Sequence, residues 1–547
     1  MPAPPDLSLI TAPERPVFHT ATGPLYGTQL LSHAWALAKR LPARPVINLH
    51  TNPLQFTLVF LATLMKGQYC LLSSNHALSQ LATLQKDHDA LCTGPSLPAP
   101  LTGFSLPPLS DLTSARQDNI RLPTTYEAAH VFTSGSTGQA RVHKKCWGEL
   151  VARSHAALPL LAPSSPKDTT LLGTVPPYHM YGFETLILQS LHTPTATASG
   201  PSFFPGDVEK LLGSTPGHHT LITTPIHLRS LTTAQAILPG LERIISASAP
   251  LPRELALEAE KRFHAPVMEI YGSTETGSVA SRRTISTDPW QLYDGITLTD
   301  IPDDGQGQTH ICHAPHATSY PLNDIITMEG PRHFHLIDRK GDLLKIAGKR
   351  TSYGALNKAL LQTKGIIDGC FAPLFSEEEL KEVGAEPTRL QAFIVTGADE
   401  TTTIMRALRQ HIDPAFMPRR LVRLPGLPRN PVGKLTRQAL ETLVRDYAEK
   451  RSHPPFSIPA GHPALPGHFP GDPTVPGIIL LERIFALLGV PVRTISSVKF
   501  LSIVRPDEPL QLLSSALGGG QIRFSLHHLS GPLKGTVILR GQIGSPS

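Results

Sequence analysis

At 547 residues the chain is too long for one hydrophobic core and predicts about three or four domains. Its 40% hydrophobic and 17% charged content is that of a globular, soluble protein, and its 54 prolines follow no repeat period. A net charge of +6 and a pI near 9.0 suit acidic small molecules or an acidic partner protein; no dense Lys/Arg run with interleaved aromatics argues for nucleic acid.

The N-terminus, Met1-Pro2-Ala3-Pro4-Pro5-Asp6, lacks the basic and then apolar regions of a signal peptide. The longest apolar run, 56–65, is too short to span a bilayer. Cys70, Cys92, Cys146, Cys312 and Cys370 are scattered without metal or disulfide spacing, which predicts a reducing cytoplasm. Helical apolar spacing covers 30–41 and 53–65, with buried strands at 46–49 and 69–72. Residues 93–124, rich in Pro, Ser and Thr, read as a surface connection.

Val131 and Phe132 then close a strand and run into Thr133-Ser134-Gly135-Ser136-Thr137-Gly138. Such a loop can turn several amides and hydroxyls toward one anion, and Arg141, His143, Lys144 and Lys145 follow to neutralise it. No Gly-Lys-Ser/Thr closes it, so it is not a Walker A loop; read alone it is also compatible with a plain Gly/Ser linker. A helix follows at 147–160 and a strand at 171–175, then alternating strands (221–224, 243–246, 267–270) and helices predict a largely parallel sheet. From 333 the texture turns charged and Gly-containing, and a smaller α/β pattern ends in a helix over 436–450. Residues 451–455 read as a linker, beyond which enough chain remains for a further small domain.

Further motifs follow the Gly/Ser loop in order: Pro177-Tyr178-His179-Met180-Tyr181-Gly182, then Tyr271-Gly272-Ser273-Thr274-Glu275-Thr276-Gly277 directly after a strand. The stretch from Asp338-Arg339-Lys340-Gly341 to Gly348-Lys349-Arg350 comes next, and Pro428-Arg429-Asn430-Pro431-Val432-Gly433-Lys434 last. With these motifs, residues from about 26 to 450 resemble the AMP-forming superfamily of acyl/aryl-CoA synthetases, adenylation domains and luciferases. The resemblance implies a large domain over 1–338, a small mobile α+β domain over 339–450, and ATP, Mg²⁺ and a carboxylic acid as reactants.

It further implies that Thr133, Ser134, Gly135, Ser136, Thr137 and Gly138, with Arg141, hold the β- and γ-phosphates. Tyr271 and Gly272 would lie at adenine, Thr274 at the α-phosphate, and Glu275 at Mg²⁺, a hard cation that favours carboxylate oxygen. Asp324 and Arg339 would meet the ribose, Lys434 the reacting oxygens, and His179 would gate the acyl pocket near His227, Ala247–Leu251 and Ile270. Gly341 would be the hinge for transfer to CoA or a phosphopantetheinyl acyl carrier protein, and Gly348 would let the thiol arm pass. The chain departs from the family at Ala140-Arg141-Val142 and at Leu322-Asn323-Asp324, where Pro-Lys-Gly and Thr-Gly-Asp are usual.

At the C-terminus, His468-Phe469-Pro470-Gly471 leads through Pro476 into the apolar stretch 478–485, which predicts a buried helix opened by proline. Glu482 would then be a desolvated carboxylate with a raised pKa, apt as a general acid. The stretch resembles the hotdog 3-hydroxyacyl-ACP dehydratases, an α+β fold placed here at 451–547. That resemblance implies His468 as base, Glu482 as acid, the Gly477 N–H as carbonyl donor, and a homodimer that completes the site. A thioesterase-like or acyl-binding hotdog is the alternative reading. The two-part combination is similar to enzymes of aryl-polyene and xanthomonadin-type pathways, with an aryl acid first and a fatty acid second as substrate.

Overall fold

The structure, a computed structural model, describes residues 6–73, 76–134, 140–162, 164–286, 289–301, 309–313, 318–339, 343–346, 349–373, 390–397, 401–430, 433–449, 453–465, 473–489, 492–518, 521–530 and 536–544. The chain divides into two compact units, Met1–Lys340 with Arg429–Lys434, and Gly341–Pro428 with Leu435–Ser547.

In the first unit, Leu91–Thr93, Val46–Asn48, Cys70–Ser73 and Glu127–Ser134 form a parallel sheet closed by antiparallel Ala140–Cys146. The helix Pro53–Met65 starts where Asn52 accepts from the Leu54 and Gln55 amides and Pro53 supplies a preset φ. It is buried over nearly its whole surface, with Gln55 alone exposed, and its residues are accordingly mostly apolar. Phe56 and Phe60 meet Phe183 edge-on, at 6.0 and 5.1 Å between ring centroids.

Apart from a three-stranded antiparallel sheet of Ile296–Thr299, His310–His313 and Thr318–Pro321, most of the rest of this unit is carried by an eleven-stranded sheet. Its middle strands, Ala196–Ala198, Thr169–Gly173, His218–Thr223, Leu241–Ser246 and Val267–Ser273, run parallel, as the strand and helix alternation requires. Both flanks are antiparallel: on one, Val267–Ser273 pairs with Gly277–Arg283 and Asp324–Met328 with His333–Arg339, and on the other Pro16–Thr20 pairs with Gly23–Tyr26. The strand expected at 267–270 therefore continues through Tyr271 and Gly272, which sit in the ladder and not after it. An antiparallel partner supplied by the next segment lengthens it.

His192 is buried beside Trp147, 4.9 Å between rings, and neither ring nitrogen has a hydrogen-bond partner among the described residues. Burial, with Arg15 and His155 nearby, pushes its pKa down to about 3. The unfolded chain takes up a proton near pH 6.5 that the folded chain refuses, so this residue lowers stability as pH falls from about 6.5 toward 3. His192→Leu is expected to raise stability by about 1 kcal/mol at neutral pH. It should also flatten the fall of Tm with acid, as read by thermal melts between pH 7 and 4.5.

In the second unit, Ile366–Pro373, Leu390–Thr396 and Leu421–Arg423 form a small sheet. The helices Tyr353–Leu361 and Thr401–Leu408 bury Leu356, Leu360, Ile404 and Leu408 in one core with Phe371 and Ile394. The helix Arg437–Glu449 contributes Val444 to a second cluster with Cys370 and Phe393. A separate core belongs to the C-terminal module. There the helix Gly477–Leu488 packs Leu480, Leu481 and Ile484 against an antiparallel sheet in the order Thr494–Phe500, Val537–Gly544, Gln521–His528, Leu510–Gly518. Among the described residues no helix is long and apolar enough to cross a membrane.

Candidate active sites

The Gly/Ser loop joins Glu127–Ser134 to Ala140–Cys146, with Thr133 opposite Arg141 and Ser134 opposite Ala140, so it closes a β-hairpin. Gly135, Ser136, Thr137 and Gly138 lie outside the described residues; Thr133 and Ser134 are placed by their backbone. The four cations expected to converge on one anion do not. Period-two alternation sends Lys144 to the other face, where it pairs with Glu127 at 3.0 Å, and Lys145 turns into the interior. Arg141 stays exposed on the returning strand.

Tyr271 to Gly277 is the reversal between two antiparallel strands. Ser273 and Thr276 bind each other across it, with the Ser273 amide donating to Thr276 Oγ1 at 3.1 Å and the Thr276 amide to Ser273 Oγ at 3.2 Å. Gly277 has φ +68°, and a Cβ there would lie 2.3 Å from Glu184 Oε1, so only glycine closes the turn. Thr274 and Glu275 project from its tip, half-buried. Burial would raise the Glu275 pKa, but hydrogen bonds from its own amide and Ser273, with His143 and Lys145 nearby, outweigh it and hold the carboxyl below its ordinary value. An ionised, half-exposed carboxylate at a turn fits a hard divalent cation. His143 brings its Nε2 to 3.8 Å from this carboxylate, so the Gly/Ser hairpin and the acidic turn meet although they are far apart in sequence.

The Tyr271 hydroxyl donates to Asp324 Oδ2 at 2.5 Å, and its ring sits 5.4 Å from Trp290 and 5.6 Å from Phe334. Asp324 lies directly opposite Arg339 in the strand ladder. The two residues expected at the ribose are thus cross-strand neighbours, with two strands, Gly277–Arg283 and Trp290–Leu292, between them and the strand of Tyr271, the residue expected at adenine. Gly341 and Gly348 lie outside the described residues.

Lys434 ends a tight turn grouped with the first unit. Its amide donates to Asn430 Oδ1 at 2.8 Å, the Asn430 amide donates to the Lys434 carbonyl at 3.0 Å, and Gly433 takes φ +77° against Ile226. The side chain is exposed. Its charge reaches His179, whose pKa burial and Lys434 together push down to about 4. His179 is therefore neutral at working pH, and its Nδ1 accepts from the Tyr181 amide at 3.4 Å. Of the expected pocket residues, His227, Ala247, Leu251 and Ile270 are buried, Ser248 and Ala249 are half-buried, and Pro250 is exposed.

In the C-terminal module, His468 lies outside the described residues. The helix opens at Pro476 as expected, but it is amphipathic and not buried all round: Ile478 is 69% exposed and Glu482 is exposed. Glu482 falls off the stripe made by Leu480, Leu481 and Ile484, so its own chain does not desolvate it. Gly477 touches Phe500, whose Cε1 would be 2.6 Å from a Cβ there. The neighbouring strand Thr494–Phe500 has an open edge among the described residues, with Ile495, Phe500, Leu501 and Ile503 exposed along and just after it.

The AMP-binding enzyme family profile matches residues 55–301, and the ApeI dehydratase profile matches residues 446–533. The chain carries an AMP-binding domain and, behind it, an ApeI-like hotdog domain. The AMP-binding part is 28% identical over 293 residues to a 4-coumarate–CoA ligase of Rhodobacter capsulatus, covering 51% of this chain and 65% of that one. It is 24% identical over 315 residues to a 4-coumarate–CoA ligase of Cereibacter sphaeroides, covering 55% and 69%. The match thus spans about two thirds of these relatives' lengths. Among solved structures, ATP-bound MatB from Rhodopseudomonas palustris superposes with a TM-score of 0.66 at 18% identity, over 80% of this chain and 97% of that one. The anthranilate CoA ligase AuaEII with anthranoyl-AMP gives 0.65 at 13%, over 80% and 96%. The adenylate-forming fold expected from the motifs is the fold observed.

The motifs did not point to Glu149, Arg153, Glu184, His313 and Tyr320, which are buried or half-buried behind the acidic turn, nor to the inward path of Lys145. A faint signal existed: Lys145, Glu149 and Arg153 recur at four-residue spacing in a segment otherwise apolar.

Proposed function

We propose that this chain activates a carboxylic acid with ATP and passes it to a phosphopantetheine thiol, and that its C-terminal module dehydrates 3-hydroxyacyl thioesters. The observation that carries the first part is the meeting of the Gly/Ser hairpin and the acidic turn, with His143 3.8 Å from Glu275. A carboxylate oxygen attacks the α-phosphorus of ATP, the bond to the bridging oxygen breaks, and pyrophosphate leaves. The thiol sulfur then attacks the acyl carbon and AMP departs. Two anions must approach in the first step, and Lys434 sets a flexible point charge beside neutral His179 for that purpose. Tyr271, Asp324 and Arg339 orient the nucleoside. Glu275 would hold Mg²⁺, which would supply the remaining positive charge against the polyphosphate.

An aryl acid is the substrate we favour, because relatives named for coumarate and anthranilate lie on the same fold. A carrier protein is the favoured acceptor, since an ApeI-like module stands on the same chain. The five cysteines stand as free thiols, in keeping with a reducing cytoplasm.

In the hotdog part, His468 removes the α-proton, Glu482 protonates the departing hydroxyl, and the Gly477 amide polarises the thioester carbonyl. A second copy docking on the open edge of Thr494–Phe500 would cover its apolar row and desolvate Glu482. Intact-mass spectrometry of carrier protein and of CoA, after incubation with ATP and the acid, tests acceptor choice. Acylation of the carrier alone supports this reading, and acylation of CoA alone replaces the carrier by CoA.

A further inference from the structure

The turn that carries Glu275 rests on buried charge. Lys145 is 1% exposed, and its Nζ donates to the Glu275 carbonyl at 2.5 Å, with the Tyr320 ring centroid 5.3 Å away. Glu184 Oε2 accepts from the Ser278 amide at 3.0 Å and from Ser278 Oγ at 2.6 Å. Arg153 donates to the Ser278 carbonyl at 2.9 Å. Glu149, which accepts from the Tyr320 hydroxyl at 3.1 Å and lies 3.2 Å from His313 Nδ1, completes the charge balance. Three buried ionic side chains thus grip the main chain at positions 275 and 278. Desolvating so many charges is unfavourable unless they face one another, and an apolar filling would support a plain hairpin equally well. What charged anchors add is a fixed place for the peptide that bears the Glu275 carboxylate.

We infer that Lys145, backed by Glu184 and Arg153, is a positioning residue for metal-bound nucleotide: it holds the Glu275 peptide so that the carboxylate meets the divalent cation on the polyphosphate. Lys145 acts through the backbone and touches neither nucleotide nor metal. The inference rests on the reading of Glu275 as metal ligand.

The test is calorimetric titration with α,β-methylene-ATP, an analogue that does not react, in the presence of Mg²⁺ and again in EDTA. The wild-type protein binds more tightly with Mg²⁺. Lys145→Met is expected to lose about 10–100-fold of that metal-dependent gain, the range for residues that orient metal ligands, while binding in EDTA is unchanged. Lys145→Arg, which keeps a buried cationic donor, is expected to retain most of the gain. If Lys145→Met melts lower yet keeps the full gain, the residue is structural only and the inference is overturned. Should Lys145→Met not fold, Lys145→Gln carries the same comparison, and a retained gain there overturns it too. Glu275→Gln separates the two layers: if it keeps the metal-dependent gain, the metal assignment falls whatever Lys145 does.

Discussion

Lys434→Ala is expected to slow acyl-adenylate formation by about 10²–10³-fold, the loss typical of removing one preorganised group that meets developing charge. The turn that presents Lys434 does not depend on its side chain. Asn430 closes that turn through its amide and side-chain oxygen, and Gly433 provides the positive φ. The variant should therefore fold, and transfer from a synthetic acyl-adenylate to the thiol should change little. Because the Lys434 charge helps to depress the His179 pKa, its removal should raise that pKa from about 4 toward the ordinary 6.5, though burial still holds it down. Stopped-flow detection of pyrophosphate and an NMR titration of His179 read the two effects. An unchanged adenylation rate would remove Lys434 from the reaction.

Glu482→Gln is expected to lower dehydration of a 3-hydroxyacyl thioester by about 10²–10⁴-fold, the range for losing a general acid, and to leave adenylation intact. The amide keeps the shape of an exposed side chain, so the helix and its buried stripe of Leu480, Leu481 and Ile484 are undisturbed. A carboxylic acid works best where water is excluded, and the single chain leaves Glu482 exposed. On the proposed reading, a second copy would bury it. Ile495→Lys, on the open edge strand and 52% exposed, should split a dimer by placing charge on the covered row, and dehydration should fall with it. Absorbance of the enoyl thioester, followed alongside sedimentation, tests both. Wild-type dehydration by Glu482→Gln, or by an Ile495→Lys monomer, would contradict the shared-site account.

The parts legible in the sequence were those whose signal is local. The helix Pro53–Met65 shows its Asn52-Pro53 start and apolar length in the residues themselves, and the parallel strands show as short buried runs. Tyr271 and Glu275 were singled out by motif order and Asp324 by resemblance to the family. What stayed hidden depends on partners distant in sequence. Val267–Ser273 extends past its apolar run because Gly277–Arg283 pairs with it. Lys145 reads as one more phosphate cation because alternation keeps it on the face of Arg141 and His143, and only a main-chain carbonyl 130 residues away shows that it turns inward. Glu482 reads as buried because its helix is rich in apolar residues, yet a single charged position can face outward on a helix with one buried stripe. His192, among fully buried neighbours, gives no sequence sign that its nitrogens go unmatched among the described residues.

ATP–pyrophosphate exchange against a panel of hydroxybenzoates, cinnamates and fatty acids tests the central claim most directly. The account predicts exchange with an aryl acid that requires Mg²⁺ and is lost in Lys434→Ala. No exchange with any acid, in protein shown to be folded, would contradict adenylation and leave the first unit as a carrier-binding scaffold beside the hotdog module.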